Sequence, residues 1–293
     1  GKRASGDTKV TDLLYRLYDA VHDEERFQET LQEIRSRYQE IIDGLQLSFS
    51  LTEDFTRIEQ DLKAGADRDY AASRGEFLNA KLMAAYLGFQ FIDSASCFFF
   101  NEDRSCDFEK TEEEIRAALK DVDYAVFPGF YGANAEGRVV TFSRGGSDVT
   151  GSLLAAAEHV DLYENWTDVS GFLVADPRIV PNPEVIDYIT YRELRELSYM
   201  GAGVLHEDAI FPVRREGIPI QIKNTNRPED HGTMIVQHTL KKPRFIITGV
   251  SGKKDFCAIN IEKAMMNSEI GFARKVLSVL EDNQISFEHI PSG

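Results

Sequence analysis

Phe142-Ser143-Arg144-Gly145-Gly146-Ser147-Asp148-Val149-Thr150-Gly151-Ser152 is a glycine-bearing turn that runs into the apolar stretch Leu153 to Val160. A cation, paired glycines, a hydroxyl and a carboxylate therefore crowd the mouth of one helix. Free N–H groups and the partial positive end of a helix favour anions, and paired glycines let a backbone approach a phosphate closely. The competing reading is an ordinary turn in which Ser147 or Asp148 caps the helix. On these residues alone both readings stand.

Outward from that turn, helices and strands alternate. On the amino-terminal side, Val10 to Val21, Phe27 to Ile42, Phe55 to Leu62 and Asp69 to Tyr86 carry apolar residues at helical spacing, and Gly88 closes the last. Strands are expected over Phe89 to Asp93, Ala95 to Phe100, Tyr124 to Pro128, Val139 to Phe142 and Val160 to Glu164, with a helix over Thr111 to Leu119. Thr190-Tyr191-Arg192-Glu193 has the spacing of a capping box, flanked by Ile189 and Leu194 as a staple for a helix from Tyr191 to Gly201. A helix from Glu207 to Glu216 and strands over Ile218 to Ile222 and Thr233 to Val236 follow. The alternation predicts an α/β fold with helices on the faces of a sheet, and such folds gather ligands at the carboxyl ends of their strands. The opening motif sits at such an end.

Lys241-Lys242-Pro243 reads as a linker. Beyond it, Phe245 to Val250, Asp255 to Ile261, the helical Gly271 to Leu280 and Ile285 to Ile290 predict a small, truncated α+β unit. The chain opens at Gly1-Lys2-Arg3 and stops at Ile290-Pro291-Ser292-Gly293, and so reads as an internal fragment or the ordered part of a longer chain.

With 293 residues, 42% of them apolar, the chain can bury a substantial core. Its net charge of -16 opposes broad affinity for nucleic acid or anionic membranes. No apolar run approaches membrane-spanning length, and no stretch reads as a signal peptide. Cys97, Cys106 and Cys257 lack metal-ligand or disulfide-framework spacing, which favours a reducing, cytoplasmic compartment and no protein-held metal.

Two further clusters lie at strand ends or helix starts. Trp166-Thr167-Asp168-Val169-Ser170-Gly171, followed by Ala175-Asp176-Pro177-Arg178, combines hydroxyl, carboxylate and guanidinium in a way that suits a nucleotide and its Mg²⁺. Turn and cap roles account equally for Asp168 and Asp176. Ser73-Arg74-Gly75-Glu76 opens a helix, where Glu76 either meets an amine or serves the helix dipole. His206 has no partner at metal spacing.

Taken in order, Phe142 to Asp148, Trp166 to Gly171, Asp176-Pro177-Arg178 and Gly201-Ala202-Gly203-Val204-Leu205-His206 resemble the aspartokinases of the amino acid kinase superfamily. The resemblance runs from Lys9-Val10-Thr11-Asp12-Leu13-Leu14 to Val236, and the tail looks like the opening of an ACT regulatory domain. It implies a three-layer αβα kinase fold with a mainly parallel central sheet over residues 1–239 and a partial, ferredoxin-like ACT domain over 240–293. It further implies ATP-dependent phosphorylation of the β-carboxylate of L-aspartate to 4-phospho-L-aspartate, the committed step toward lysine, threonine and methionine.

Carried over by position, Arg144 would grip the α-carboxylate of aspartate, with Thr11, Ser73 and Glu76 completing that pocket. Asp148 would be the catalytic carboxylate, with Ser147 beside it. Thr167, Asp168, Asp176 and Arg178 would surround ATP, with Mg²⁺ bound through the phosphates. A feedback amino acid, lysine or threonine, would act at the ACT region of a homodimer or larger assembly. Three departures stand out. The family's Lys-Phe-Gly-Gly strand does not occur here, so this stretch alone is expected to be nearly inactive. Gly203 replaces a Lys before Val-Leu-His, and Leu173 replaces an aromatic residue. The alternatives are an amino-acid-sensing protein of the same fold that has lost turnover and a kinase for another amino acid.

Overall fold

The computed structural model describes residues 6–143, 145–199, 205, 207–239, 246–252, 254, 257–262, 264 and 266–287. Four helices come first: α1 (Val10–Asp19), α2 (Glu24–Gly44), α3 (Thr52–Lys63) and α4 (Arg68–Leu87). Two of them, α2 and α4, begin at side-chain caps. Asp23 caps α2 and Asp67 caps α4 by accepting a backbone N–H, and Gly88 closes α4 in the left-handed conformation. Leu13, Leu14, Leu17, Phe27, Leu31, Ile34, Ile58 and Leu78 lock these helices into one buried cluster. Gly75 lets α1 cross closely, since a Cβ there would meet Leu14 Cδ1 at 3.3 Å.

After this helical layer come β1 (Gln90–Phe91), β2 (Phe99–Phe100), α5 (Phe108–Leu119), β3 (Ala125–Val126), β4 (Tyr131–Asn134) and β5 (Val139–Thr141). Then follow α6 (Gly146–Ala157), β6 (Tyr163–Thr167), β7 (Tyr188–Thr190), α7 (Tyr191–Tyr199), α8 (Phe211–Arg215), β8 (Ile220–Asn224) and β9 (Thr233–Val236). The strands form a parallel pair β1–β3, a sheet in the order β2–β4–β5 and a sheet in the order β6–β8–β9–β7. β2 with β4, β6 with β8 and β7 with β9 run parallel, whereas β4 with β5 and β8 with β9 are antiparallel. The fold is α/β as expected, with the sheet mixed and divided rather than one mainly parallel sheet.

Local differences from the sequence reading have local causes. Ala95 to Phe100 is not one strand, because Asp93 Oδ1 accepts the Ala95 N–H and starts a 3₁₀ turn over Ser94–Ser96. Strand β4 carries Gly132, which looks like a turn residue but fits here because the Phe98 carbonyl packs against it. The strand expected over Val160 to Glu164 lies further on, as β6. The capping box forms as expected: the Thr190 N–H donates to Glu193 Oε2 at 2.9 Å and the Glu193 N–H to Thr190 Oγ1 at 3.2 Å.

Chain contacts group Gly1–Gly252 as one compact unit and Lys253–Gly293 as a second. In the first, the Val250 N–H donates to the Val174 carbonyl at 2.8 Å. The second contains α9 (Phe272–Asp282), an amphipathic helix none of whose residues is buried. Among the described residues, the strand-like runs at 246–250, 257–261 and 285–287 pair with no strand. A lone strand has no ladder partner and cannot bury a face.

Candidate functional site

Helix α6 starts at Gly146, so the opening motif is itself the first turn. Gly145 is the N-cap, in the left-handed region at φ 55°, and among the described residues no side chain caps the helix. Ser147 and Asp148 are therefore inside the helix and do not close it, which leaves the helix start open to a ligand. Gly146 is required by crowding: a Cβ there would sit 2.9 Å from both Phe130 Cα and Phe142 Cβ. Gly129 likewise faces Ser147, whose Oγ would lie 2.8 Å from an added Cβ. The Phe130 N–H donates to Thr150 Oγ1 at 3.0 Å, and that hydroxyl donates to the Gly146 carbonyl at 2.9 Å. The 128–130 loop is thus fastened to the start of α6.

Asp148 is half-buried and its orientation is set from β6. Asn165 Nδ2 donates to Asp148 Oδ1 at 2.8 Å and to the Tyr163 hydroxyl at 3.0 Å. Burial, above all, pushes the Tyr163 hydroxyl pKa up to about 12, with the Asp148 charge adding to the rise. Asn165 was not singled out from the sequence. Its signal is the alternation of Tyr163, Asn165 and Thr167, half-buried, with Glu164 and Trp166, exposed.

The carboxyl ends of β6 and β8 carry the next group. Thr167 ends β6 opposite Asn224, and its carbonyl accepts the Thr225 N–H at 2.9 Å and the Thr225 hydroxyl at 3.0 Å. Asp168 is exposed beyond it. Ser170 donates to Asp230 Oδ2 at 2.6 Å and accepts from Asn224 Nδ2 at 2.8 Å. Lys223 Nζ lies 5.5 Å from the Trp166 ring centre and donates to the Pro228 and Asp230 carbonyls. Lys223, Asn224 and Asp230 also went unnoticed in the sequence, because the polar run looks like a plain turn.

Asp176 and Arg178 are bound to each other. Arg178 Nη2 lies 2.6 Å from Asp176 Oδ2, and Nε reaches both carboxylate oxygens. The guanidinium holds the Asp176 pKa down to about 2. Arg178 is exposed and Asp176 half-buried on the loop between Val174 and Glu184.

On the other side, Ser73, Arg74 and Glu76 belong to α4. The Ser73 hydroxyl is fully buried, donates to the Tyr70 carbonyl at 2.7 Å and accepts from Arg74 at 2.9 and 3.1 Å. Glu76 is half-buried, and burial pushes its carboxyl above the ordinary value. Thr11, also half-buried, lies at the start of α1 beside Val10, which packs on Gly75. The arrangement joins Asp148 to β6 just before Thr167 and Asp168; the Asp176–Arg178 pair and the α4 residues make no bond to that group among the described residues. Arg144, Gly203 and His206 lie outside the described residues. Among the described residues, no cluster of three or more His, Cys, Asp or Glu side chains could hold a metal ion. No helix of the described residues is long and apolar enough to cross a membrane.

Comparison with known proteins places this geometry in context. The amino acid kinase family matches residues 4–224. Aspartokinase 3 of Bacillus subtilis is 39% identical over an alignment covering all of this chain and 67% of the relative. The crystal structure of Clostridium acetobutylicum aspartate kinase, described as an allosteric enzyme, superposes with a TM-score of 0.90 at 51% identity, covering all of this chain and 68% of that one. Escherichia coli aspartokinase III in complex with aspartate and ADP gives a TM-score of 0.73 at 26% identity, over all of this chain and 69% of that one. The same enzyme with lysine and aspartate gives 0.71 at 25% identity, over 98% and 68%. The chain thus spans about two-thirds of the length of these relatives.

Proposed function

This chain belongs to the amino acid kinase family, among the aspartokinases, and on that footing we propose that the whole protein transfers the γ-phosphoryl group of ATP to the β-carboxylate of L-aspartate. The product is 4-phospho-L-aspartate, on the route to lysine, threonine and methionine. The observation that carries this reading is Asp148, a half-buried carboxylate in the uncapped first turn of α6, oriented by Asn165 of β6, two residues before that strand's carboxyl end. That the E. coli relative was solved with aspartate and ADP supports the same substrate pair here.

Phosphoryl transfer is governed by positioning and by neutralisation of charge. In this reading the open N–H groups of α6 and Ser147 face the phosphates. Thr167, Asp168, Asp176 and Arg178 hold the nucleotide. Thr11, Ser73, Glu76 and Arg144 hold aspartate, Arg144 on its α-carboxylate. Asp148 and Asp168, as hard oxygen donors, would hold a Mg²⁺ carried by the phosphates, where it would supply charge neutralisation; a metal that keeps most of its waters needs only one or two carboxylates.

The finer fold assignment belongs to the same proposal. Residues 1–239 form a three-layer αβα kinase domain and residues 240–293 the opening part of an ACT domain, where lysine or threonine acts in a cytoplasmic homo-oligomer. A relative solved with lysine supports that feedback. The test is hydroxamate formation by the full-length protein from ATP, aspartate and hydroxylamine. Absence of ADP release with any amino acid under Mg²⁺ transfers the assignment to a non-catalytic sensor. Arg144→Ala should raise the KM for aspartate far more than that for ATP.

A further inference from the structure

Apart from the α6 start and its neighbours, α3, α4 and the turn before β5 enclose a cavity of about 770 Å³. That is within the range of small-molecule sites, roughly 300–1,000 Å³. None of Thr11, Ser73, Glu76, Asp148 or Thr167 lines it. Its wall combines aromatic and aliphatic surface, from Phe77, Phe91, Ile58 and Val139, with four cations and four aspartates.

The aspartates are all supplied with donors. Asp54 is 2.6 Å from Lys81 Nζ, Asp61 accepts the Tyr70 hydroxyl at 2.6 Å, Asp67 accepts the Tyr70 N–H at 2.9 Å, and Asp93 accepts the Tyr131 hydroxyl at 2.7 Å. The cations are not all matched. Lys81 has Asp54, and Arg57 lies 3.7 Å from Asp61. Arg74 and Arg138 have no carboxylate at ion-pair distance among the described residues.

Arg74 is the informative one, being only 6% exposed. Its guanidinium carbon stands 4.4 Å from the ring centres of Tyr70 and Phe77 and 5.4 Å from that of Tyr131. Its hydrogen-bond partners are neutral hydroxyls, those of Ser73 and Tyr131. A buried cation without an anion is costly, and aromatic faces recover only part of that cost. We infer that this cavity is a second ligand site, taking a small organic carboxylate whose head meets Arg74 and Arg138 and whose apolar body lies against Phe77 and Phe91. This assignment does not depend on the phosphotransfer reading.

The test is ¹⁹F NMR titration of the full-length protein with 4-fluorophenylacetate, with the neutral 4-fluorophenylacetamide as its control. Saturable binding of the acid is expected, at least tenfold tighter than that of the amide. Arg74→Met should weaken it at least tenfold, and Arg138→Glu, at an exposed position that does not threaten folding, severalfold. Saturating L-aspartate and ADP should leave it unchanged. Absence of saturable binding to the wild type, equal binding of acid and amide, or undiminished binding by folded Arg74→Met and Arg138→Glu would overturn the site. Displacement by L-aspartate would also overturn it, by assigning the cavity to the substrate. Should Arg74→Met not fold, the amide and Arg138→Glu decide.

Discussion

Asn165 and Asp148 are joined across two elements: the amide nitrogen of one lies 2.8 Å from the carboxylate oxygen of the other, tying the first turn of α6 to β6. The same amide holds the Tyr163 hydroxyl at 3.0 Å, and Tyr163 in turn presses on α6 at Gly151. A carboxylate that must present one face to phosphate benefits from a neutral donor on the other. Such a donor fixes orientation without cancelling the charge.

Asn165→Leu should therefore lower kcat about 10- to 100-fold, the usual loss when a positioning partner is removed. A merely structural role would lower the melting temperature and leave turnover of the folded protein in place. Here kcat of the folded protein should fall while the KM values for ATP and aspartate change little, because the Asp148 carboxylate loses the donor that orients it. An unchanged kcat with a lowered melting temperature would refute the positioning role.

That relationship also shows what could be read from residues alone. The four amino-terminal helices, the Gly88 stop and the Thr190–Glu193 capping box were legible because each depends on neighbours within one or two turns. The mouth of α6 was legible as a choice between capping and anion binding; capping by Ser147 or Asp148 falls away because the helix begins at Gly146, ahead of both. Asn165 was hidden by a shift in the position of β6, whose placement depends on pairing with β8, far along the chain. The strand expected over Ala95 to Phe100 gave way to the Ser94–Ser96 turn for a similar reason, since that turn answers to the Asp93 carboxylate.

Glu76 carries a second prediction, with a definite sign. Burial raises its carboxyl above the ordinary 4.5, so the native state binds this proton more tightly than the unfolded chain does. Its favourable contribution is complete below the unfolded value and is lost as the pH rises through the raised native value. Glu76→Gln should then raise the melting temperature at pH 7 but not at pH 4, while lowering kcat/KM for aspartate. An equal thermal shift at both pH values would refute the linkage.

Gly146→Ala should destabilise the first unit by about 1–3 kcal/mol, the typical cost of forcing extra volume into a packed site. The clash is with the Phe130 backbone and with Phe142 Cβ, neither of which is a free side-chain end. Urea unfolding with an unchanged slope would report it. Gly65→Ala offers the comparison: a Cβ there meets nothing within 4 Å, so its cost comes only from the left-handed backbone at φ +97°.

The Asp176–Arg178 pair separates stability from ligand binding. Arg178 holds the Asp176 carboxyl at about 2, so the pair's contribution is present above the unfolded value near 3.8 and is lost only as the pH falls through 2. Nothing in this pair titrates near neutrality. Because Arg178 is exposed and the pair lies at the surface, little stability is at stake at pH 7. Arg178→Gln should accordingly leave the melting temperature at pH 7 unchanged. If Arg178 and Asp176 part to meet the nucleotide, the same variant weakens ADP binding severalfold by calorimetry, and Asp176→Asn weakens it as well. Unaltered ADP affinity in both variants would confine the pair to holding its own loop.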